Sequence, residues 1–399
     1  MSRTPSHSPS PHRHGVGVVG AYGLASEYAD QLLLGTVRDV HTAFAKRAFG
    51  LANRATGGSA RMPQAIHDSL SRTFYSGIGA GMRAATAGFR AAETRGVGAR
   101  LEAEAGGRQV LSVINGFIGD RLAEDRPEFA IVMSVRLHGS DVPLDEAHLA
   151  AAFPNATQDL VVFLHGLGEN DDSWNRRRDE NGGTYGSRLA EEAGWTPIYL
   201  RANSGLPVAE NGVALASLLD ELVSAWPTEV RRIALVGHSM GGLVLRSACA
   251  VVTDAEAPWT LLVTNVVTLG TPHLGAPLER TVNVSARVLG ILPESAPFRR
   301  ILEYRSVGIL NLRQGLAADV QHLPHARYHL VAGTLADSHR HPVSEVLGDL
   351  FVRYPSAVGR PRWGRAMFPD ADVLHVPGTQ HFALLNHPDV YTAMKAWLG

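Results

Sequence analysis

Between residues 129 and 399, short apolar runs rich in branched side chains alternate with longer helical segments. The runs are AIVMSVRL (130–137), LVVFLHG (160–166), TPIYLRA (196–202), RIALVGH (232–238), LLVTNVVTLG (261–270), RYHLVAGTL (327–335) and DVLHVPG (372–378). A strand that is apolar at every position needs cover on both faces, and intervening helices such as GVALASLLDELVSAW (212–226) supply it. The expected fold class is therefore α/β, a mostly parallel sheet with helices on both faces. Two connections are unusually long, Thr271 to about Ala326 and Ala336 to about Ala371. Excursions of that length usually carry lids or site loops.

Ahead of this portion the rhythm is different. MSRTPSHSPSPHRH (1–14) is polar and rich in Pro and Ser, and it reads as a disordered tail. Its His7, His12 and His14 read as part of that tail and not as metal ligands. GVGVVG (15–20) matches a dinucleotide fingerprint in letters, but no strand precedes it, so the match is a decoy. Residues 15–128 read as a helical region. Leu33, Val37, Val40, Phe44, Ala48 and Leu51 recur at helical spacing, as do Ile66, Leu70, Phe74, Ile78 and Met82. A third stripe is Val110, Ile114, Phe117 or Ile118, and Leu122. Such stripes call for burial on the rest of the chain or on a second subunit.

The charge balance excludes some partners. Lys and Arg total 37 against 38 Asp and Glu, a net charge of −1, so no global field favours nucleic acid or an anionic membrane. Cys249 is the only cysteine, which rules out an intrachain disulfide and a thiolate metal cluster. No apolar run approaches the roughly 20 residues that span a bilayer. GVGVVGAYGLA (15–25) is too short and glycine-broken for an export signal, so a soluble cytoplasmic protein is expected. Peripheral membrane contact is compatible with the composition.

RIALVGHSMGGLVLRSA passes from a strand-like run through small residues into a helix-like one. A serine on so sharp a strand-to-helix turn presents its hydroxyl, and the flanking glycines let strand and helix approach. Ser239 is the expected nucleophile. Its proton needs a base, and His381 in GTQH lies just past the final strand. His375 and His387 read as packing or surface residues. Backbone N–H groups of Met240, after the serine, and of Leu167, after the strand ending at His165-Gly166, are the expected oxyanion donors. His165 reads as a loop-holding histidine. For the acid that orients the base, Asp337 and Asp349 both lie beyond RYHLVAGTL, and spacing does not separate them.

At these residues the chain resembles the α/β-hydrolase superfamily, in particular bacterial triacylglycerol-lipase-like and GPI inositol-deacylase-like esterases. FLHGLGENDDSW (163–174), LVGHSMGGLVLRSA (235–248), VVTLGTPHLGAP (266–277), GDLFVRYPSA (348–357) and GTQHFALLNHPDVY (378–391) carry the likeness. The resemblance implies an α/β-hydrolase domain over 129–399 and a helical cap over 273–323. It also favours Asp349 as the acid, although Leu350 stands where the family often has glycine. The implied activity is carboxylester hydrolysis of a small-molecule or lipid acyl ester, with no metal or organic cofactor. An acyltransferase using the same residues and a non-catalytic protein on the same fold are the alternatives.

Overall fold

In the computed structural model the described residues are 101–251, 258–275, 322–341, 348–361 and 364–399, with a few isolated positions between them. The tail, the glycine-rich 15–20 segment, the first two helical stripes and nearly all of the 273–323 insertion lie outside the described residues.

Eight strands form one sheet: β1 (Ser134–Leu137), β2 (Ser140–Val142), β3 (Asp159–Leu164), β4 (Thr196–Arg201), β5 (Arg232–His238), β6 (Val263–Leu269), β7 (Arg327–Gly333) and β8 (Asp372–Val376). The helices are α1 (Ala105–Asp125), α2 (Glu146–Ala152), α3 (Tyr185–Ala193), α4 (Val208–Ala225), α5 (Met240–Cys249), the single turn α6 (Tyr354–Ala357) and α7 (Pro388–Leu398). The strand order is β2-β1-β4-β3-β5-β6-β7-β8. From β4 through β8 all neighbours are parallel, whereas β1 pairs antiparallel with both β2 and β4. The run 130–137 thus departs from the parallel pattern. Only its last four residues pair, and a tight turn at His138-Gly139 folds it into a hairpin.

Alternation along the central strands sorts their side chains onto two faces. Leu160, Val162 and Leu164 of β3 join Leu219 of α4 and Leu243 of α5 in one core, while Val161 and Phe163 join Leu189 of α3 and Met394 of α7 in the other. Both faces being covered explains the uninterrupted apolar strands. Fully burying one such side chain stabilises by roughly 1.5–3 kcal/mol, so truncating Leu235 or Val236 would be felt throughout the sheet.

Helix α1 packs on this sheet domain along part of the expected stripe, through Ile114, Ile118 and Leu122. Leu111, Ile118 and Leu122 are buried with Phe129 and Ile131, whereas Val110 and Phe117 are 48% and 59% exposed. The buried face is completed by small and polar residues. A Cβ on Gly116 would stand 3.0 Å from the Gly168 backbone, and one on Gly119 would overlap the Asn203 side chain. Asn115 donates to the Leu111 and Phe129 carbonyls and accepts from Ile131 N–H. Close approach and hydrogen bonding, more than apolar bulk, dock this helix.

The two ends of the 273–323 insertion meet. His273 and His322 both pack on Phe368, with ring centroids 4.7 and 4.5 Å away. Among the described residues no helix is long and apolar enough to cross a membrane.

Candidate active site

Strand β5 ends at His238, and α5 begins at Met240, so Ser239 alone makes the turn. Its backbone has φ 53 and ψ −122, a left-handed conformation that costs a non-glycine residue of order 1–3 kcal/mol. The neighbouring glycines make the turn possible. A Cβ on Gly237 would lie 2.6 Å from Gly242 N, and one on Gly241 would overlap the Leu164 carbonyl oxygen. Ser239 N–H donates to the Leu269 carbonyl at 2.8 Å, tying the turn to the end of β6.

His381 opens the turn after β8 and is buried, as is Asp349 in the loop after β7. The Nδ1 of His381 is 2.7 Å from Asp349 Oδ2, and its N–H donates to the Asp349 carbonyl at 3.0 Å. Asp349 Oδ1 accepts from the Phe351 and Val352 N–H groups at 3.0 and 2.8 Å. The carboxylate is thereby fixed on one oxygen and free to fix the imidazole with the other. Asp337 is exposed on the same connection and makes no hydrogen bond to His381. Leu350, where the lookalike family often has glycine, sits at φ 91. The chain keeps the glycine-like backbone with a leucine in it, so the departure is in the side chain and not in the loop path.

The structure brings the remaining residues toward these two without closing every contact. A Cβ on Gly166 would be 2.9 Å from Ser239 Cβ, and one on Gly270 would be 3.0 Å from the His381 ring, so both loops abut the site. Neither His381 Nε2 nor Ser239 Oγ forms a hydrogen bond among the described residues. Catalytic hydrogen bonds are commonly long without substrate. Among the described residues the N–H groups of Leu167 and Met240 also have no acceptor, and Met240 opens α5, where the helix leaves N–H groups unpaired.

The other singled-out residues occupy structural positions. His165 Nδ1 donates to the Gly166 carbonyl at 2.9 Å and its Nε2 accepts from Ala202 N–H at 3.0 Å. Burial holds its basicity below the usual histidine range. His375 Nε2 lies 2.7 Å from Thr334 Oγ1, and His387 caps α7. Burial pushes the Cys249 thiol up to about 12, which leaves it inert.

Two residues not read from the sequence stand against the serine. Glu169 Oε2 lies 2.7 Å from His238 Nδ1 and accepts from Gly166 N–H at 2.8 Å. The signal for them was present: His238 precedes the serine, and Glu169 follows Gly166 by three residues in GLGENDD.

This strand order, with a sharp strand-to-helix turn at a serine after β5 and a histidine after β8, is the α/β-hydrolase fold. Residues 154–296 match the family described as "Putative serine esterase (DUF676)", which supports a hydrolase. Among solved structures, the chain is similar to the Bacillus licheniformis lipase BlEst2 in mature form, at 20% identity and TM-score 0.42, over 60% of this chain and 91% of that one. It is similar to the Pyrococcus furiosus esterase PF2001 at 14% identity and TM-score 0.38, over 61% of this chain and 84% of that one. A lipase-esterase related protein from Clostridium acetobutylicum is similar at 13% identity and TM-score 0.37, over 61% and 96%. No curated protein matches the sequence.

Proposed function

We propose that the protein is a serine carboxylester hydrolase that works through an acyl-enzyme, with Ser239 as nucleophile, His381 as base and Asp349 as the acid that orients it. The observation that carries this reading is the buried 2.7 Å contact of His381 Nδ1 with Asp349 Oδ2, beside a serine held at φ 53. With Nδ1–H committed to Asp349, the imidazole keeps Nε2 unprotonated and able to take the Ser239 proton. Oγ then attacks the ester carbonyl, and its oxygen becomes an anion held by the Leu167 and Met240 N–H groups. His381 returns the proton to the departing alcohol. A water, deprotonated by the same nitrogen, then hydrolyses the acyl-serine and frees the carboxylic acid.

The surroundings favour an apolar acyl group. Phe351 and Phe382 pack on the His381 ring with centroids 5.2 and 5.4 Å away, and both keep about two-fifths of their surface exposed, at 41% and 37%. A series of p-nitrophenyl esters from acetate to palmitate, run beside a fluorophosphonate probe, tests the proposal. Labelling at Ser239 with turnover is expected, and both should vanish in Ser239→Ala. Turnover surviving in that variant removes Ser239 as nucleophile. Labelling without turnover of any ester would favour an acyltransferase.

A further inference from the structure

The proposed chemistry uses one of the two histidine–carboxylate pairs beside Ser239. The other, Glu169–His238, is fully enclosed, and its hydrogen bonds run between the loops that the reaction needs. Glu169 Oε2 takes the Gly166 N–H at 2.8 Å, one residue before the Leu167 donor. The same oxygen faces His238 Nδ1 at 2.7 Å. His238 Nε2 lies 3.3 Å from the His381 carbonyl oxygen, and the two imidazole centroids are 4.7 Å apart.

A carbonyl oxygen can only accept, so Nε2 of His238 carries a proton. A carboxylate oxygen that already accepts an amide N–H calls for a second donor from Nδ1. Both ring nitrogens are then protonated, and the ring is an imidazolium paired with a carboxylate. Burial opposes charge on each partner, yet their attraction prevails: Glu169 is held below the usual carboxylate range and His238 above the usual histidine range. Breaking either contact would leave a charge uncompensated in a closed space.

We infer that Glu169 and His238 are positioning residues for the esterase reaction: their pair couples the loop bearing the Leu167 donor, the nucleophile turn and the turn bearing His381, and so sets the alignment of serine, base and oxyanion donors. The inference rests on the serine-hydrolase reading. The loops come from β3, β5 and β8, far apart in sequence, and along this route the pair spans all three. Misalignment of reacting groups by about 1 Å costs on the order of 100-fold in rate.

The test uses the full chain as Glu169→Gln, His238→Gln and the double variant, assayed well below each melting temperature on the ester that wild type prefers. The expected result is a kcat lower by roughly 100-fold with KM within about threefold, and a double variant no worse than the weaker single, because one coupled device is lost each time. A pair that only stabilises the fold would lower the melting temperature and leave kcat of the folded enzyme within about twofold; that result overturns the inference. If the variants do not fold, ¹⁵N-histidine NMR of the unsubstituted chain decides. One ring protonated on both nitrogens at pH 7, with slowly exchanging protons, is expected, and only neutral buried rings would refute the pair. A wild-type chain that neither turns over esters nor labels at Ser239 defeats the serine-hydrolase reading and this inference with it, whereas an active wild type with active variants defeats only this inference.

Discussion

Asp349–His381 and Glu169–His238 each place a buried carboxylate 2.7 Å from an imidazole Nδ1, yet the two pairs differ at the second ring nitrogen. His238 Nε2 is spent on the His381 carbonyl, while His381 Nε2 has no partner among the described residues. A base needs a nitrogen to spare, and a tether needs none. The carboxylates differ in the same sense. Asp349 Oδ1 is saturated by two N–H groups of its own loop, whereas Glu169 takes its amide N–H from Gly166, in the loop after β3 that carries the proposed oxyanion donor. One pair is held by its own turn and the other holds its neighbours.

The sharpest way to break this comparison is Asp349→Asn, which keeps the shape but offers the imidazole the wrong hydrogen-bond pattern. Its kcat should fall by roughly 10⁴-fold by analogy with protease triads, while exposed Asp337→Asn should stay near wild type. Equal and mild losses in the two would mean that the acid lies elsewhere.

Removing one partner of a buried pair typically costs about 3–5 kcal/mol, so Glu169→Gln should lose stability on that scale in urea unfolding. The loss should depend on pH. A carboxylate whose pKa is depressed on folding contributes fully above its ordinary 4.5 and loses that contribution as pH falls through the folded value. A histidine whose pKa is raised contributes fully below its ordinary 6.5 and loses it as pH rises through the folded value. The gap between wild type and variant should therefore be widest between those two values and narrow on either side. A gap that does not change with pH would count against the ion pair.

Gly166→Ala tests whether the loop with the proposed oxyanion donor has room to shift. Its Cβ would fall 2.9 Å from Ser239 Cβ and 2.8 Å from Glu169 Oε2, so the loop must retreat. Overpacking of this kind costs about 1–3 kcal/mol, and kcat should fall by at least tenfold because the donors move with the loop. Unchanged kinetics would show that the Leu167 N–H does not contribute. The smallest effect belongs to Leu350→Gly, which relieves a leucine at φ 91 and should alter the unfolding free energy by about 1 kcal/mol or less, with activity retained.

The sheet was legible because each central strand is apolar on both faces, a pattern that survives without knowledge of its neighbours. The hairpin of β1 and β2 was not, since SDV is too short for an apolar pattern, Val142 being its one apolar residue, and the antiparallel pairing depends on β4. Helix α1 was legible as a helix and in part of its buried face, since Ile118 and Leu122 of the expected stripe are buried and Ile114 packs on them. Of that stripe Val110 is exposed, and of Phe117 and Ile118 it is Ile118 that faces inward, while Gly116 and Gly119 permit the close approach no stripe of large residues shows. At the site, the strained turn at Ser239 was readable because so sharp a passage from strand to helix needs small residues at fixed offsets.

Residue order alone is enough for the covered parallel sheet, the strained serine turn between β5 and α5, and a histidine after the last strand. These are local patterns, set by side-chain periodicity and by steric limits on the backbone within a few residues. That His381 bonds Asp349 and not Asp337, and that Glu169 and His238 form a second pair, follows from the folded arrangement of the loops. Those contacts join residues 32 and 69 positions apart, and spacing along the chain holds no information about which loop ends meet. The meeting is set by strand order, which brings the ends of β3, β5, β7 and β8 to one edge of the sheet.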